Sequence, residues 1–273
     1  MRELIDCHIH TERCGHATGT VDDYVRAAVK GGLVGMAITE HLALPEEFDP
    51  HNHLSMPACD LEDYLVEVDL TAQRYPEITV VAGLEADYLP GRERETAAAI
   101  AAARDRSDGA RFVLGSVHFI GEWAFDDPHN VDKWDRRDVD EVWMQYFALW
   151  CEAARSGMFD CMAHPDLPKK FGHLPSFSPT ELYAQAAAAA AETGVLIEIS
   201  TAGLRKPVKE LYPGHGLLVA FRRADIAVTV GSDAHEPGEV GYMIGAAYDA
   251  AALAGYTEVQ FPDGAGGWRS IQL

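Results

Sequence analysis

The feature that most restricts what this chain can fold into is a recurrence of short apolar runs that each end on a histidine or a carboxylate. The first, Leu4-Ile5-Asp6-Cys7-His8-Ile9-His10, is followed closely by His16. Residues 36–41 end on Glu40-His41, 80–85 on Glu85, 113–118 on His118, 161–164 on His164, and 228–235 on Asp233 and His235. Side chains two apart on a strand point the same way, so His8 and His10 reach a single ion together. Strands that all deliver such a residue at their ends predict one shared rim.

Helix signals fill the gaps. Thr20-x-x-Asp23 opens an amphipathic helix that Gly31-Gly32 stops. Further helices are predicted over 61–74, 93–106, 139–156, 217–223 and 242–254. Ser178-Pro179-Thr180-Glu181 combines a capping serine, a proline at the first helical position and a capping glutamate, ahead of an alanine-rich helix that ends at Gly194. The strands are predicted at 4–10, 35–39, 79–85, 112–119, 159–163, 195–200 and 226–232, with a weak one at 258–261. Strands separated by helices argue a parallel sheet, because each crossover needs one. An open sheet concentrates its site where two strands diverge, whereas a barrel gathers loops from every strand at one mouth. Ligand-type residues at nearly every strand end fit the barrel. No G-x-G-x-x-G follows the first strand, which removes the usual dinucleotide reading.

The even rhythm and the missing linker predict one domain over residues 1–273. No apolar run approaches the roughly 20 residues that a membrane span needs. The start of the chain, with Arg2 and Glu3 before a strand, lacks the apolar core of a signal peptide, and a cytoplasmic protein is expected. The five cysteines, odd in number and without a C-x-x-C pair, are not a disulfide framework. A formal net charge of −21 argues against nucleic acid or an anionic membrane as partner. It leaves room for an anionic small molecule, since bound divalent cations dominate a local potential.

One histidine near a strand end is usually a satisfied polar group. His8, His10, His16, His41, Glu85, His118, His164, Asp233 and His235 in register would be a costly collection of buried polar groups unless metal satisfied them. Imidazole and carboxylate without thiolate suit Zn, Mn or Fe(II), and the set exceeds what one ion can use. Two or three divalent ions are expected, with Glu85 able to bridge two of them.

The ordered set Asp6-Cys7-His8-Ile9-His10-Thr11, Thr39-Glu40-His41, Gly83-Leu84-Glu85-Ala86-Asp87-Tyr88, Gly115-Ser116-Val117-His118-Phe119, Lys169-Lys170-Phe171-Gly172, Ala202-Gly203-Leu204-Arg205-Lys206-Pro207 and Gly231-Ser232-Asp233-Ala234-His235 resembles the PHP (polymerase and histidinol phosphatase) metallohydrolases, in their histidinol-phosphatase branch. The resemblance spans nearly the whole chain. It implies a distorted (β/α)7 TIM-like barrel with a trinuclear site. His8, His10, Glu85 and Asp233 would hold one ion, Glu85, His118 and His164 a second, and His16, His41 and His235 the third. Glu85, Asp233 and His235 would stand nearest the chemistry, in which a hydroxide shared by two ions attacks phosphorus in line.

The implied substrate is a small-molecule phosphate ester, most specifically L-histidinol phosphate in histidine biosynthesis. Arg205 is the first candidate for a phosphate clamp because guanidinium matches phosphate bidentately, and Arg13 is the second. Lys169, Lys170 and Lys206 read as solvated charges. Glu40 and Asp166 are either orienting carboxylates or ordinary loop residues. Glu198 either faces the mouth or pairs with a basic neighbour, and Asp87 or Asp126 is a guess for holding the amine. Cys7 alternates into the core. His51, His53, His129, His173 and His215 read as lid or surface features, and the 123–134 segment as a packed loop or a pocket wall. The alternatives are a nucleotide or oligonucleotide phosphoesterase, an amidohydrolase-type enzyme, and a silent metal-binding module. Phosphate versus amine release separates the first and second, and the full ligand set tells against the last.

Overall fold

The structure, a computed structural model, describes residues 2–107 and 109–273. In chain order the strands are β1 (Ile5–Asp6), β2 (Gly35–His41), β3 (Thr79–Asp87), β4 (Phe112–Ser116), β5 (Phe119–Ile120), β6 (Trp123–Ala124), β7 (Cys161–Met162), β8 (Leu196–Ser200), β9 (Val228–Gly231), β10 (Glu258–Pro262) and β11 (Trp268–Gln272). Seven of them form one parallel sheet in the order β1-β2-β3-β4-β7-β8-β9. The edges meet: Cys7 N donates to Val230 O at 2.9 Å, His10 N to Ala234 O at 2.9 Å, and Ile9 pairs with Ala234 in parallel. The sheet is thereby a barrel.

The helices α1 (Val21–Gly31), α2 (Leu61–Arg74), α3 (Glu93–Arg104), α4 (Val139–Arg155), α5 (Thr180–Thr193) and α6 (His215–Arg223) make the six crossovers, and α7 (Ile244–Ala254) follows β9. α1 begins as its sequence predicts. Thr20 and Asp23 form a reciprocal capping box, and Gly32 ends the helix with left-handed backbone. α5 differs. Pro179 precedes it without a side-chain cap, Ser178 Oγ turns instead to Thr180 Oγ1 at 2.8 Å, and Glu181 contacts Gln185. Buried Ala186, Ala187, Ala189 and Ala190 hold this helix by close packing.

Two strands stop short of their predicted ends because side chains take over the backbone donors. Beyond β1, His8 N points to Asp6 Oδ1 and Ile9 N to Thr39 Oγ1. Beyond β4, His118 N donates to Asp87 Oδ1, and the chain turns into the antiparallel β5–β6 hairpin. The weak strand at the C-terminal end gains a partner the pattern did not predict, since β10 pairs antiparallel with β11. One hydrophobic cluster runs from Ile5 to Ile271, with Cys7 inside it as alternation requires. No helix among the described residues is long and apolar enough to cross a membrane.

Candidate metal centre

The C-terminal ends of the barrel strands converge on Glu85. Its Oε2 lies 3.2 Å from His8 Nε2, 3.3 Å from His10 Nε2 and 3.2 Å from His41 Nδ1; its Oε1 lies 2.9 Å from His164 Nε2 and 3.6 Å from His118 Nε2. Asp233 Oδ1 stands 3.4 Å from both His10 Nε2 and His235 Nδ1, and 3.7 Å from His8 Nε2. His16 Nε2 is 3.1 Å from His235 Nε2. The structure therefore brings all nine sequence-predicted ligand residues to one mouth. Three groupings have ligand atoms mutually within 4.8 Å: His10 with His41 and His235, His8 with His10 and Asp233, and His8 with Glu85 and His164.

The carboxylates and carbonyls behind the rings decide which nitrogen each presents. His8 Nδ1 donates to Glu198 Oε1 at 2.8 Å, His118 Nδ1 to Asp87 Oδ1 at 3.1 Å, His16 Nδ1 to His53 O at 2.9 Å, and His235 Nδ1 to Asp233 O at 3.1 Å. Oxygen acceptors at Nδ1 assign the proton there and leave Nε2 bare, the arrangement of metal-ligating histidine. Those Nε2 atoms face other imidazole nitrogens in the pairs His8–His10 at 3.0 Å, His16–His235 at 3.1 Å and His118–His164 at 3.3 Å. Lone pairs so opposed repel unless a proton or a cation lies between them. The residues fit divalent metal.

Charge in the cluster shows the same demand. Burial by itself pushes Glu85 and Asp233 up, yet the imidazoles beside them, His8 foremost, hold both carboxylates well below their ordinary range. Burial opposes a proton on His8, but Glu198, Glu85 and Asp233 raise it well above the usual imidazole value. Burial and then His10 push His16 down, and push His41 and His235 well below theirs. The carboxylates stay ionised and require positive charge, which protons supply until metal displaces them. His164 and Asp233 also carry positive φ, +24° and +53°, a strained backbone that persists only where its surroundings enforce it.

Glu198, left open by the sequence, is fully buried between two ligands, with Oε2 accepting from His164 N at 2.7 Å. Gly231 makes room for it, since a Cβ there would lie 2.1 Å from Glu198 Oε1 and 2.6 Å from His8 Cβ. Glu40 accepts from Thr11 and from His41 N, with Oε1 3.6 Å from His10 Nδ1. Asp166, by contrast, serves Lys169 and Gly214 N instead of a ligand histidine.

The Arg13 guanidinium pairs with Glu67 at 2.6 Å on α2, and Arg13 is not among the residues lining the cavity above the cluster. Arg205 Nη2 donates to the carbonyls of Ser232 at 2.9 Å and Asp233 at 2.8 Å and Nε sits 2.8 Å from Glu239, while Nη1 is buried without a partner among the described residues. It braces the loop that carries Asp233 and His235. Lys169 is buried against Asp166 and Glu210, and Lys170 is half-buried at the cavity and paired with Asp126, so neither is a freely solvated charge. Asp87 accepts from His118 and Asp126 pairs with Lys170, and both line the cavity.

Above the cluster opens a cavity of about 860 Å³. His51 and His53 line it from the 42–57 loop, which Asp49 ties down by accepting from the backbone of His53, Leu54 and Ser55. The 123–134 segment divides: Trp123 and Trp134 are buried, whereas Asp126, Asp127 and His129 line the cavity. His173 stacks on Trp134 with centroids 4.2 Å apart. Lys170, Lys206 and Tyr212 complete one wall.

A parallel barrel whose mouth gathers imidazoles and carboxylates without thiolate defines the class of metal-binding hydrolases. The chain belongs to the PHP domain family, in its histidinol-phosphatase branch; the PHP domain matches residues 6–202. It is 40% identical over 244 residues to a protein of Deinococcus radiodurans named "Probable histidinol-phosphatase", covering 89% of this chain and 90% of that one. It is 28% identical to the histidinol-phosphatase of Bacillus subtilis, covering 87% and 95%. The crystal structure of histidinol phosphate phosphatase from Lactococcus lactis, complexed with zinc, L-histidinol and phosphate, superposes with a TM-score of 0.81 at 21% identity, covering 98% of this chain and 99% of that one. The last likeness establishes the barrel.

Proposed function

We propose that residues 1–273 act as one metal-dependent phosphomonoesterase that hydrolyses L-histidinol phosphate to L-histidinol and inorganic phosphate. The observation that carries the reading is Glu85, whose two oxygens touch five imidazoles at the floor of a cavity sized for a small molecule. The 40% identity to a relative named for this activity supports the substrate. Two or three ions, Zn, Mn or Fe(II), would be held by His8, His10, Glu85 and Asp233, by Glu85, His118 and His164, and by His16, His41 and His235. Bound there, divalent cations supply charge against the phosphoryl oxygens and acidify water enough to make hydroxide available near neutral pH.

The chain's own residues set the geometry for that chemistry. Glu198 and Asp87 aim His8 and His118 from behind, and Arg205 with Glu239 holds the Asp233–His235 loop. Lys170 and Lys206 place cationic groups on the cavity wall. Among the described residues Lys206 has no ion-pair partner, and burial, then Lys170, lowers its pKa. Both suit an incoming phosphate dianion. Free cysteines, most of them buried, fit a cytoplasmic enzyme.

The test is phosphate release by metal-free protein resupplied with each ion, across L-histidinol phosphate, an aryl phosphate and nucleotides. L-Histidinol phosphate should be hydrolysed with the highest kcat/KM; equal treatment of the aryl phosphate refutes the substrate and leaves the metal reading standing. Glu85→Gln should abolish turnover and lower bound metal together.

A further inference from the structure

Tyr212 stands on the cavity wall with a hydroxyl that neither the metal centre nor the packing employs. Its backbone is fastened to the end of β8, where Ser200 N donates to its carbonyl at 2.6 Å and its own N–H donates to Ser200 O at 3.0 Å. Its ring lies against Gly203, where a Cβ would come within 2.9 Å of the ring carbon that bears the hydroxyl. Lys169 Nζ stands 5.5 Å from the ring centroid. The residue is 1% exposed and lines the cavity, yet its hydroxyl has no hydrogen-bond partner among the described residues. A phenol oxygen lies on the ring axis and cannot swing away, so this donor stays where the packing puts it. Leaving it unmet is costly.

The nearby acceptors are taken. Asp166 Oδ2 accepts from Gly214 N at 2.8 Å and pairs with Lys169 at 3.0 Å. Asp126 is with Lys170 at 2.9 Å, and Asp233 is among the histidines. Burial first, and then the negative charge of Asp166, Asp233 and Asp126, push the phenol pKa up, so the proton stays on the oxygen throughout the neutral range. A held donor without an acceptor, on the wall that also carries Lys170 and Lys206, matches a ligand that brings its own oxygens. We propose that the Tyr212 hydroxyl donates a hydrogen bond to a phosphoryl oxygen of the substrate, with Gly203 and the Ser200 pairing holding the ring in place. This deepens the phosphomonoesterase reading and rests on it.

Tyr212→Phe removes the hydroxyl and keeps the ring, and Tyr146→Phe is its control. Tyr146 is also a fully buried tyrosine, its hydroxyl beside the backbone of Leu167, but it does not line the cavity. Both variants are compared with wild type at saturating zinc, by calorimetric titration with inorganic phosphate and, separately, with L-histidinol. Loss of one hydrogen bond to a charged acceptor predicts phosphate affinity about 10- to 100-fold weaker in Tyr212→Phe. L-Histidinol affinity and zinc content should stay within about twofold, and Tyr146→Phe should bind phosphate as wild type does. Unchanged phosphate affinity in Tyr212→Phe overturns the assignment. So does an equal loss in Tyr146→Phe, or a loss confined to L-histidinol. If wild type binds phosphate but does not hydrolyse L-histidinol phosphate, the substrate reading fails, while a weakened Tyr212→Phe still supports the hydroxyl as a phosphate donor.

Discussion

Glu198→Gln is the sharpest probe of how the ligands are oriented. Both oxygens of Glu198 act as acceptors, Oε1 from His8 Nδ1 at 2.8 Å and Oε2 from the backbone N–H of His164 at 2.7 Å. Glutamine has the same shape and only one acceptor oxygen. Its amide group must therefore face a donor, and one of two things follows. Either the His164 N–H loses its partner in a fully buried site, or His8 moves its proton to Nε2, the atom that faces Glu85 and His10. The first costs stability by about 1–3 kcal/mol. The second removes a ligand lone pair, and loss of such an orienting partner weakens metal binding about 10- to 100-fold, or about 1.4–2.8 kcal/mol. The assay pairs competition against a chromogenic chelator with urea denaturation of the metal-free protein. Wild-type values in both measurements would show that Glu198 does not set the His8 tautomer, and the Nδ1 protonation that leaves Nε2 free for metal would be refuted.

Gly231→Ala drives a methyl into Glu198 Oε1 and His8 Cβ, and overpacking of this kind should cost about 1–3 kcal/mol in denaturant titration, with metal content falling alongside. Arg13→Ala breaks only a partly exposed pair with Glu67, so kcat/KM should hold and stability should drop by no more than about 1 kcal/mol; a large rise in KM would identify Arg13 as an anion contact. Burial alone would lower the pKa of His118, but Asp87, Asp126 and Glu85 raise it to about 10 in the metal-free protein. Its folded pKa thus exceeds the ordinary 6.5, so the associated stability is complete below pH 6.5 and is lost as pH rises through 10. Metal must displace that proton, so zinc affinity should climb across the same interval. Calorimetry at pH 7 in buffers of different ionisation enthalpy should detect proton release, and its absence would refute the displacement.

The barrel and its ring of ligands were legible because both follow from local pattern. A parallel strand buried on both faces is a short continuous apolar run, and the residue after it emerges at the mouth, so histidines and carboxylates that close such runs must meet. The strand ends were less legible. Asp87 taking the His118 amide and Thr39 taking the Ile9 amide stop or interrupt pairing in ways no periodicity records. Likewise Ser178-Pro179-Thr180-Glu181 has the composition of a cap, but Ser178 Oγ has a nearer partner in Thr180 Oγ1.

What the sequence determined by itself was which residues reach the mouth, because alternation along a strand and the order of strands and helices are properties of neighbours in the chain. What only the tertiary structure decided was which side chain each of them meets. Glu198 and His8 lie 190 positions apart and become partners because β8 and β1 flank β9. Arg13 and Arg205 look alike in the chain, yet one faces a carboxylate on α2 and the other two carbonyls past β9. A long cation binds whatever acceptor the fold sets within its reach, and that distance is fixed only once the barrel has closed.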